Sequence, residues 1–281
     1  MVVTQTATFA GIEPFATWNT PIAWTGFILF ADSVIYRARG ESWLRSSPRE
    51  FVGLTLVSIP LWIVFEGYNL VLRNWYYTGL PQAFWLRQFG LAWAFATIWP
   101  SMFEAAELIG VSRGARRPAP DAQPPPAGAL PSGPSSPSGP SARAARPGRG
   151  VAVVPVAAGA AMLATPFLVP AEAARYMAAP VWLGFIFVIE PVNRRLGLQT
   201  ITRERFINLT LGGLLCGVLW EFWNYWSRAK WHYSVPIMER LKIFEMPLPG
   251  YFGFPAFALE CFTMYVLVRG AFSSLGRPIA V

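Results

Sequence analysis

Two cysteines, two lysines, two aspartates and one histidine are all that the 281 residues contain of those types. Cys216 and Cys261 both lie inside apolar runs, which offers no disulfide framework and no zinc site. A lone His232 does not supply haem, di-iron or other multi-histidine metal chemistry. The last apolar run has no lysine for a Schiff base, and no Gly-rich phosphate loop or Gly-x-Ser-x-Gly motif occurs. No metal or organic cofactor is therefore expected. Residues 1–20 contain no Lys or Arg, so no signal-peptide n-region is expected there. Charge is scarce as well: 14% of residues are charged, where a soluble domain carries about a quarter.

What the chain has instead is apolar and aromatic. Apolar residues make up 54% and the mean hydropathy is +0.38. Thirteen Trp, nine Tyr and 21 Phe account for 15% of the chain. This excludes a disordered protein and argues for an all-α integral membrane protein whose first partner is the lipid bilayer. Runs near the length needed to cross about 30 Å of hydrocarbon fall at 21–36, 51–72, 89–111, 151–169, 178–193, 206–227 and 250–268. That predicts about seven transmembrane helices.

The net charge of +8 comes almost wholly from arginines in short loops, so topology explains it better than nucleic acid, and no nucleic-acid partner is expected. Segments 37–50, 113–150, 194–205 and the tail from 269 hold 16 of the 23 Lys and Arg. The positive-inside rule puts those segments in the cytoplasm. The N-terminus is then outside and the C-terminus inside, as for a multi-pass protein of an inner or plasma membrane. Trp75, Tyr76, Tyr77, Trp231, His232 and Tyr233 occupy the outer loops, as a belt of interfacial aromatics does. Residues 236–248 mix apolar and charged positions and suit the interface plane.

Internal repetition decides the expected architecture. Trp24, Gly26, Phe27 and Ile28 recur as Trp182, Gly184, Phe185 and Ile186, and Asp32 recurs as Glu190. Phe51, Leu54, Thr55 and Leu56 recur as Phe206, Leu209, Thr210 and Leu211. Glu66, Asn69, Arg73, Trp75, Tyr77 and Pro81 then match Glu221, Asn224, Arg228, Trp231, Tyr233 and Pro236. Pro100 and Glu104 correspond more loosely to Pro255 and Glu260. The expected organisation is a first three-span repeat over 1–112, a disordered cytoplasmic linker rich in Pro, Ser and Arg over 113–150, a connecting span at 151–169, and a second three-span repeat over 178–281. An odd connecting span gives both repeats the same orientation, a parallel 3+1+3 plan.

Glu66, Asn69 and Arg73 fall at i, i+3 and i+7, on one helical face, and Glu221, Asn224 and Arg228 repeat that stripe. The stripes read either as a structural polar network or as two acids facing each other across a pseudo-twofold axis, one of them a neutral acid at pH 7. Glu260 has no Lys or Arg within a turn and is expected to be protonated or hydrogen-bonded. Glu104 shares a face with Glu107. The candidate catalytic acids are thus Glu66, Glu221, Glu260 and Glu104. Asn69, Asn224, Trp62, Trp220 and Trp223 are the candidate substrate-binding residues, with no metal ligands among them. Asp32 and Glu190 stand near arginine-rich ends and are expected to pair there, and His232 is read as structural. Acids among π faces in a water-poor site suit carbocation chemistry, in which an acid protonates an alkene, the cation rearranges and a base removes a proton.

The order of these residues resembles the membrane-type carotenoid lycopene cyclase domain. The matching stretches are Trp182 to Arg195, Trp220-Glu221, Trp231-His232-Tyr233 and Gly250 to Glu260, with the first copy alongside. The family carries a Pro-x-Glu-Glu motif in its third span; here Pro100 precedes Glu104 and Pro255 precedes Glu260, with no adjacent pair. The chain is also broadly similar to seven-span terpene cyclases that rely on two membrane acids. The resemblance implies two three-span units and an isoprenoid or carotenoid cyclase or isomerase, independent of metal, acting on an apolar isoprenoid-type substrate. The alternatives from the residues are a small-solute transporter of the SWEET type, which shares the 3+1+3 plan, and an accessory membrane subunit without chemistry. Oligomeric state is not legible.

Overall fold

The computed structural model describes residues 2–114, 153–238 and 240–272. Most of the expected linker, 113–150, therefore lies outside the described residues. The chain is mostly helical. In order it forms α1 (Val2–Phe9), α2 (Asn19–Arg39), α3 (Trp43–Ser46), α4 (Pro48–Leu72), strand β1 (Trp75–Thr78), α5 (Phe84–Ala96), α6 (Ile98–Ser112), α7 (Val153–Leu168), α8 (Ala171–Ala174), α9 (Ala178–Arg195) and α10 (Arg203–Trp226). Strands β2 (Lys230–Tyr233), β3 (Lys242–Ile243) and β4 (Met246–Pro247), a 3-10 turn at Leu248–Phe252 and α11 (Gly253–Ala271) complete it.

Local chemistry sets most boundaries. Gly40 takes a left-handed conformation, φ 75°, and its N–H closes α2 on the Tyr36 carbonyl. Pro48 opens α4 in the first turn, where its missing N–H costs nothing. Thr202 caps α10 by accepting the Arg205 N–H at 3.3 Å. The expected span at 89–111 is instead two helices meeting at Thr97. Pro100 cannot donate to a carbonyl four residues back, and the Ser58 hydroxyl of α4 fills the break. It donates to the Phe95 carbonyl and accepts the Trp99 N–H at 3.2 Å. Among the described residues of 236–248, a short hairpin pairs Lys242 with Pro247 and Ile243 with Met246.

Among the described residues three segments are long and apolar enough to cross a membrane by length and composition: Pro48–Leu72, Arg203–Trp226 and Leu248–Ala271. Val153–Leu168 is also apolar but shorter. Outward positions on α2 and α4 are apolar as well, with Leu29, Phe30, Val52, Leu56, Ile63 and Leu70 all more than half exposed. Buried polar residues and exposed apolar ones together invert the pattern of a water-soluble protein and suit a membrane protein.

The two sequence repeats meet in the middle of the molecule. Helix α10 packs on α6 and α11, α9 packs on α7 and α11, and α2 packs on α6 and α10. Gly212 lets α10 approach closely, since a Cβ there would lie 2.7 Å from the Ala106 backbone nitrogen of α6. Strands β1 and β2 pair antiparallel, with Trp75 opposite Tyr233, Tyr76 opposite His232 and Tyr77 opposite Trp231. Exchanging each residue for its repeat equivalent leaves that register unchanged, so the ribbon has a local twofold at the Tyr76–His232 pair.

Candidate functional site

A cavity with about 1040 Å³ of empty space, mouth included, lies beneath this ribbon. Its walls come from the start of α2, from α4, α5 and α10, and from the beginnings of α9 and α11. Repeat equivalents line it in pairs: Trp24 with Trp182, Phe65 with Trp220, Trp75 with Trp231 and Tyr77 with Tyr233. Trp62 adds a ring 5.9 Å from Trp220 and 5.8 Å from Phe257, which joins the two halves across the cavity. Such a lining is apolar, rigid and rich in π faces.

The polar groups of this wall are held from behind by the two candidate acids. Tyr77 donates its hydroxyl to Glu66 Oε1 at 2.5 Å, and the indoles of Trp62 and Trp75 donate to the same oxygen at 2.8 and 3.2 Å. Tyr233 donates to Glu221 Oε1 at 2.9 Å and accepts from the Trp231 indole at 2.9 Å. Glu221 Oε2 is buried with no hydrogen-bond partner among the described residues. Glu66 thus accepts three side-chain donors on one oxygen, and Glu221 accepts one, with the Trp231 indole and the Glu245 backbone N–H also close to it. Both phenols are pushed well above the usual tyrosine range, first by burial and then by the carboxyl beside each. They stand as protonated groups at neutral pH, each with a carboxyl directly behind it.

Asn69 and Asn224 are used to build the ribbon. Asn69 donates to the Trp75 carbonyl at 2.8 Å and accepts the Asn74 and Trp75 N–H groups; Asn224 donates to the Trp231 carbonyl at 2.9 Å and accepts the Trp231 N–H at 3.0 Å. Both amides are occupied by backbone and neither lines the cavity. The stripes also do not run on to their arginines: Arg73 is the left-handed cap of α4, and Arg228 pairs with Glu13. Trp223 packs edge-on against Trp24 at 4.8 Å, outside the lining.

Glu104 and Glu260 are buried in α6 and α11, and neither reaches the cavity wall. Among the described residues neither oxygen of Glu260 has a hydrogen-bond partner. Glu107 accepts the Trp43 indole at 2.5 Å and lies 3.6 Å from Arg39. Asp32 and Glu190 clamp loops: Asp32 accepts the Leu44 N–H at 2.9 Å and the Ser42 hydroxyl at 3.0 Å, and Glu190 accepts the Ile201 N–H at 2.8 Å with the charges of Arg194 and Arg205 near it. His232 stacks on Tyr76 with centroids 5.5 Å apart and sits 3.0 Å from Glu245. Of the candidates, Trp62 and Trp220 line the cavity, and Glu66 and Glu221 touch it through tyrosines. Tyr77 and Tyr233 were not among the candidates, although Trp-x-Tyr recurs in the sequence. Among the described residues no group of three or more His, Cys, Asp or Glu is placed to hold a metal ion. Comparison with family models, curated proteins and solved structures finds no match.

Proposed function

We propose that the protein is an intramembrane isoprenoid or carotenoid cyclase or isomerase, related in plan to the lycopene cyclase domain. The observation that carries this reading is the aromatic cavity whose wall presents two tyrosines, each backed by a membrane acid. The reaction needs no co-reactant. With substrate bound the Tyr233–Glu221 hydrogen bond reverses: the Glu221 carboxyl, in its acid form, donates to the phenol oxygen, and the phenol hydroxyl turns to the substrate. Its proton passes to an alkene carbon as the Glu221 proton moves onto the phenol oxygen, so that no phenolate forms. The new C–H bond leaves a carbocation on the neighbouring carbon, and the indole and phenyl faces stabilise it without attacking it. The cation rearranges or closes a ring. A C–H bond then breaks, Tyr77 accepts that proton, and its own proton passes to the Glu66 carboxylate. Three donors on one oxygen suit a carboxylate, which is why Glu66 takes the base role; a single donor on Glu221 suits an acid. Product and substrate are isomers; Glu66 then releases its proton to solvent and Glu221 takes one up, which restores both acids for the next turnover.

In this reading seven spans form two parallel three-span halves around the connecting helix, with the N-terminus outside and the C-terminus in the cytoplasm. The self-matching ribbon register and the paired lining support the parallel plan, and the arginine distribution supports the orientation. The test is expression of the chain in a host that makes prenyl lipids or lycopene, followed by chromatography and mass spectrometry of the extract. A product of unchanged mass and new retention time supports the enzyme. Movement of an unchanged small solute across the membrane, with no new product, supports the transporter reading and removes this one.

A further inference from the structure

The geometry points to a substrate that carries one neutral oxygen function, a hydroxyl or a carbonyl, seated between Thr20 and Trp24; the inference rests on the cavity being the substrate site. Thr20 and Trp24 lie four residues apart on one face of α2, and both line the cavity. They are 5% and 2% exposed. Thr20 Oγ1 and Trp24 Nε1 are nonetheless buried without a hydrogen-bond partner among the described residues. A buried donor without an acceptor is costly and rare. Nearby polar groups on the same helix do not share this state. Asn19 donates to the Trp223 carbonyl at 2.8 Å, and Thr25 donates to the Pro21 carbonyl at 2.8 Å while accepting the Trp93 indole at 3.0 Å. The indoles of Trp43, Trp62, Trp75, Trp99 and Trp231 all have partners too.

An indole N–H only donates, whereas a hydroxyl both donates and accepts. The complementary group is therefore an oxygen that accepts from Trp24 and exchanges a hydrogen bond with Thr20. A pure hydrocarbon leaves both unsatisfied. A carboxylate or phosphate is disfavoured because the cation in the wall, Lys230, is committed: it donates to the Tyr225 carbonyl at 2.7 Å and lies 3.8 Å from Glu245.

The test uses the full chain in lipid nanodiscs and three probes with one C20 skeleton: geranylgeraniol, the hydrocarbon with hydrogen in place of its hydroxyl, and geranylgeranoic acid. Binding is read by quenching of tryptophan fluorescence and checked by native mass spectrometry. The alcohol is expected to bind at least tenfold more tightly than the other two. Thr20→Val and Trp24→Phe should each erase most of that preference, by weakening the alcohol more than the hydrocarbon. Thr20→Val is isosteric, so it decides the matter should Trp24→Phe fail to fold. Equal affinity of the wild type for alcohol and hydrocarbon overturns the inference and assigns the two groups to water. So does an equal loss for both probes in Thr20→Val. Binding of none of the probes overturns it together with the cavity's role. Conversion of a hydrocarbon with no preference for the alcohol sinks this inference while the enzyme reading stands.

Discussion

Tyr77 and Tyr233 are the groups through which the two acids meet the cavity, so the first prediction concerns their hydroxyls. Tyr233→Phe removes the proton path from Glu221 and keeps the ring, and should lower turnover by about 10²- to 10⁴-fold, the usual range for loss of a positioned acid or base. Tyr77→Phe should cost a similar factor, and Glu66→Gln and Glu221→Gln should do the same. Fold should survive each, with a stability loss of about 1–3 kcal/mol from the broken hydrogen bond, measured by thermal melting in detergent beside product analysis. Full activity in both Phe variants returns the stripes to a purely structural network. A second prediction follows from the raised phenols. The folded protein holds protons that an unfolded chain sheds above about pH 10, so neither activity nor melting temperature should show an alkaline limb from these tyrosines below that pH. Stability should fall above it, because there the unfolded state binds fewer protons than the native one. Ultraviolet absorbance of tyrosinate against pH, with melting curves at each step, checks the sign.

The helices carry their own prediction at Gly212. A Cβ at that position would press on the Ala106 backbone, which has no flexible end to yield. Gly212→Ala should therefore force α10 and α6 apart and cost about 1–3 kcal/mol, as overpacking does, seen as a lower melting temperature. An unchanged melting temperature would mean the crossing is looser than the structure has it. Helical stretches were legible in the sequence because long apolar runs leave few alternatives, and the recurring Trp-x-Tyr is what the matched register of β1 and β2 brings together. The break at Thr97 was not: Pro100 signals a weak point, but the Ser58 hydroxyl that satisfies it comes from another helix. The same limit applied to the acids. Spacing placed Glu66 and Glu221 on matching faces, yet Glu260, as buried as Glu221, lies away from the cavity, and only tertiary packing separates the two cases. Asn69 and Asn224 read as binding groups because their ribbon partners lie beyond the helix end, where spacing says nothing about contact.

Across the whole molecule, orientation is the claim that labelling decides. Cys216 and Cys261 are fully buried, so the native chain offers a quiet background for a membrane-impermeant maleimide. Single cysteines at exposed Gln82, between β1 and α5, and at exposed Arg49, in the first turn of α4 within the basic segment 37–50, should behave oppositely in intact cells. Gln82→Cys should label from outside and Arg49→Cys only after lysis; the reverse pattern overturns the charge-based topology. The chemistry is tested most directly by the source of the proton. The purified protein in nanodiscs is given a polyprenyl alcohol in D2O, and the product is weighed by mass spectrometry. The account predicts an isomer bearing one deuterium on carbon, formed by the wild type and lost in Glu221→Gln and Tyr233→Phe. An isomer with no deuterium, or one formed equally well by both variants, would contradict it.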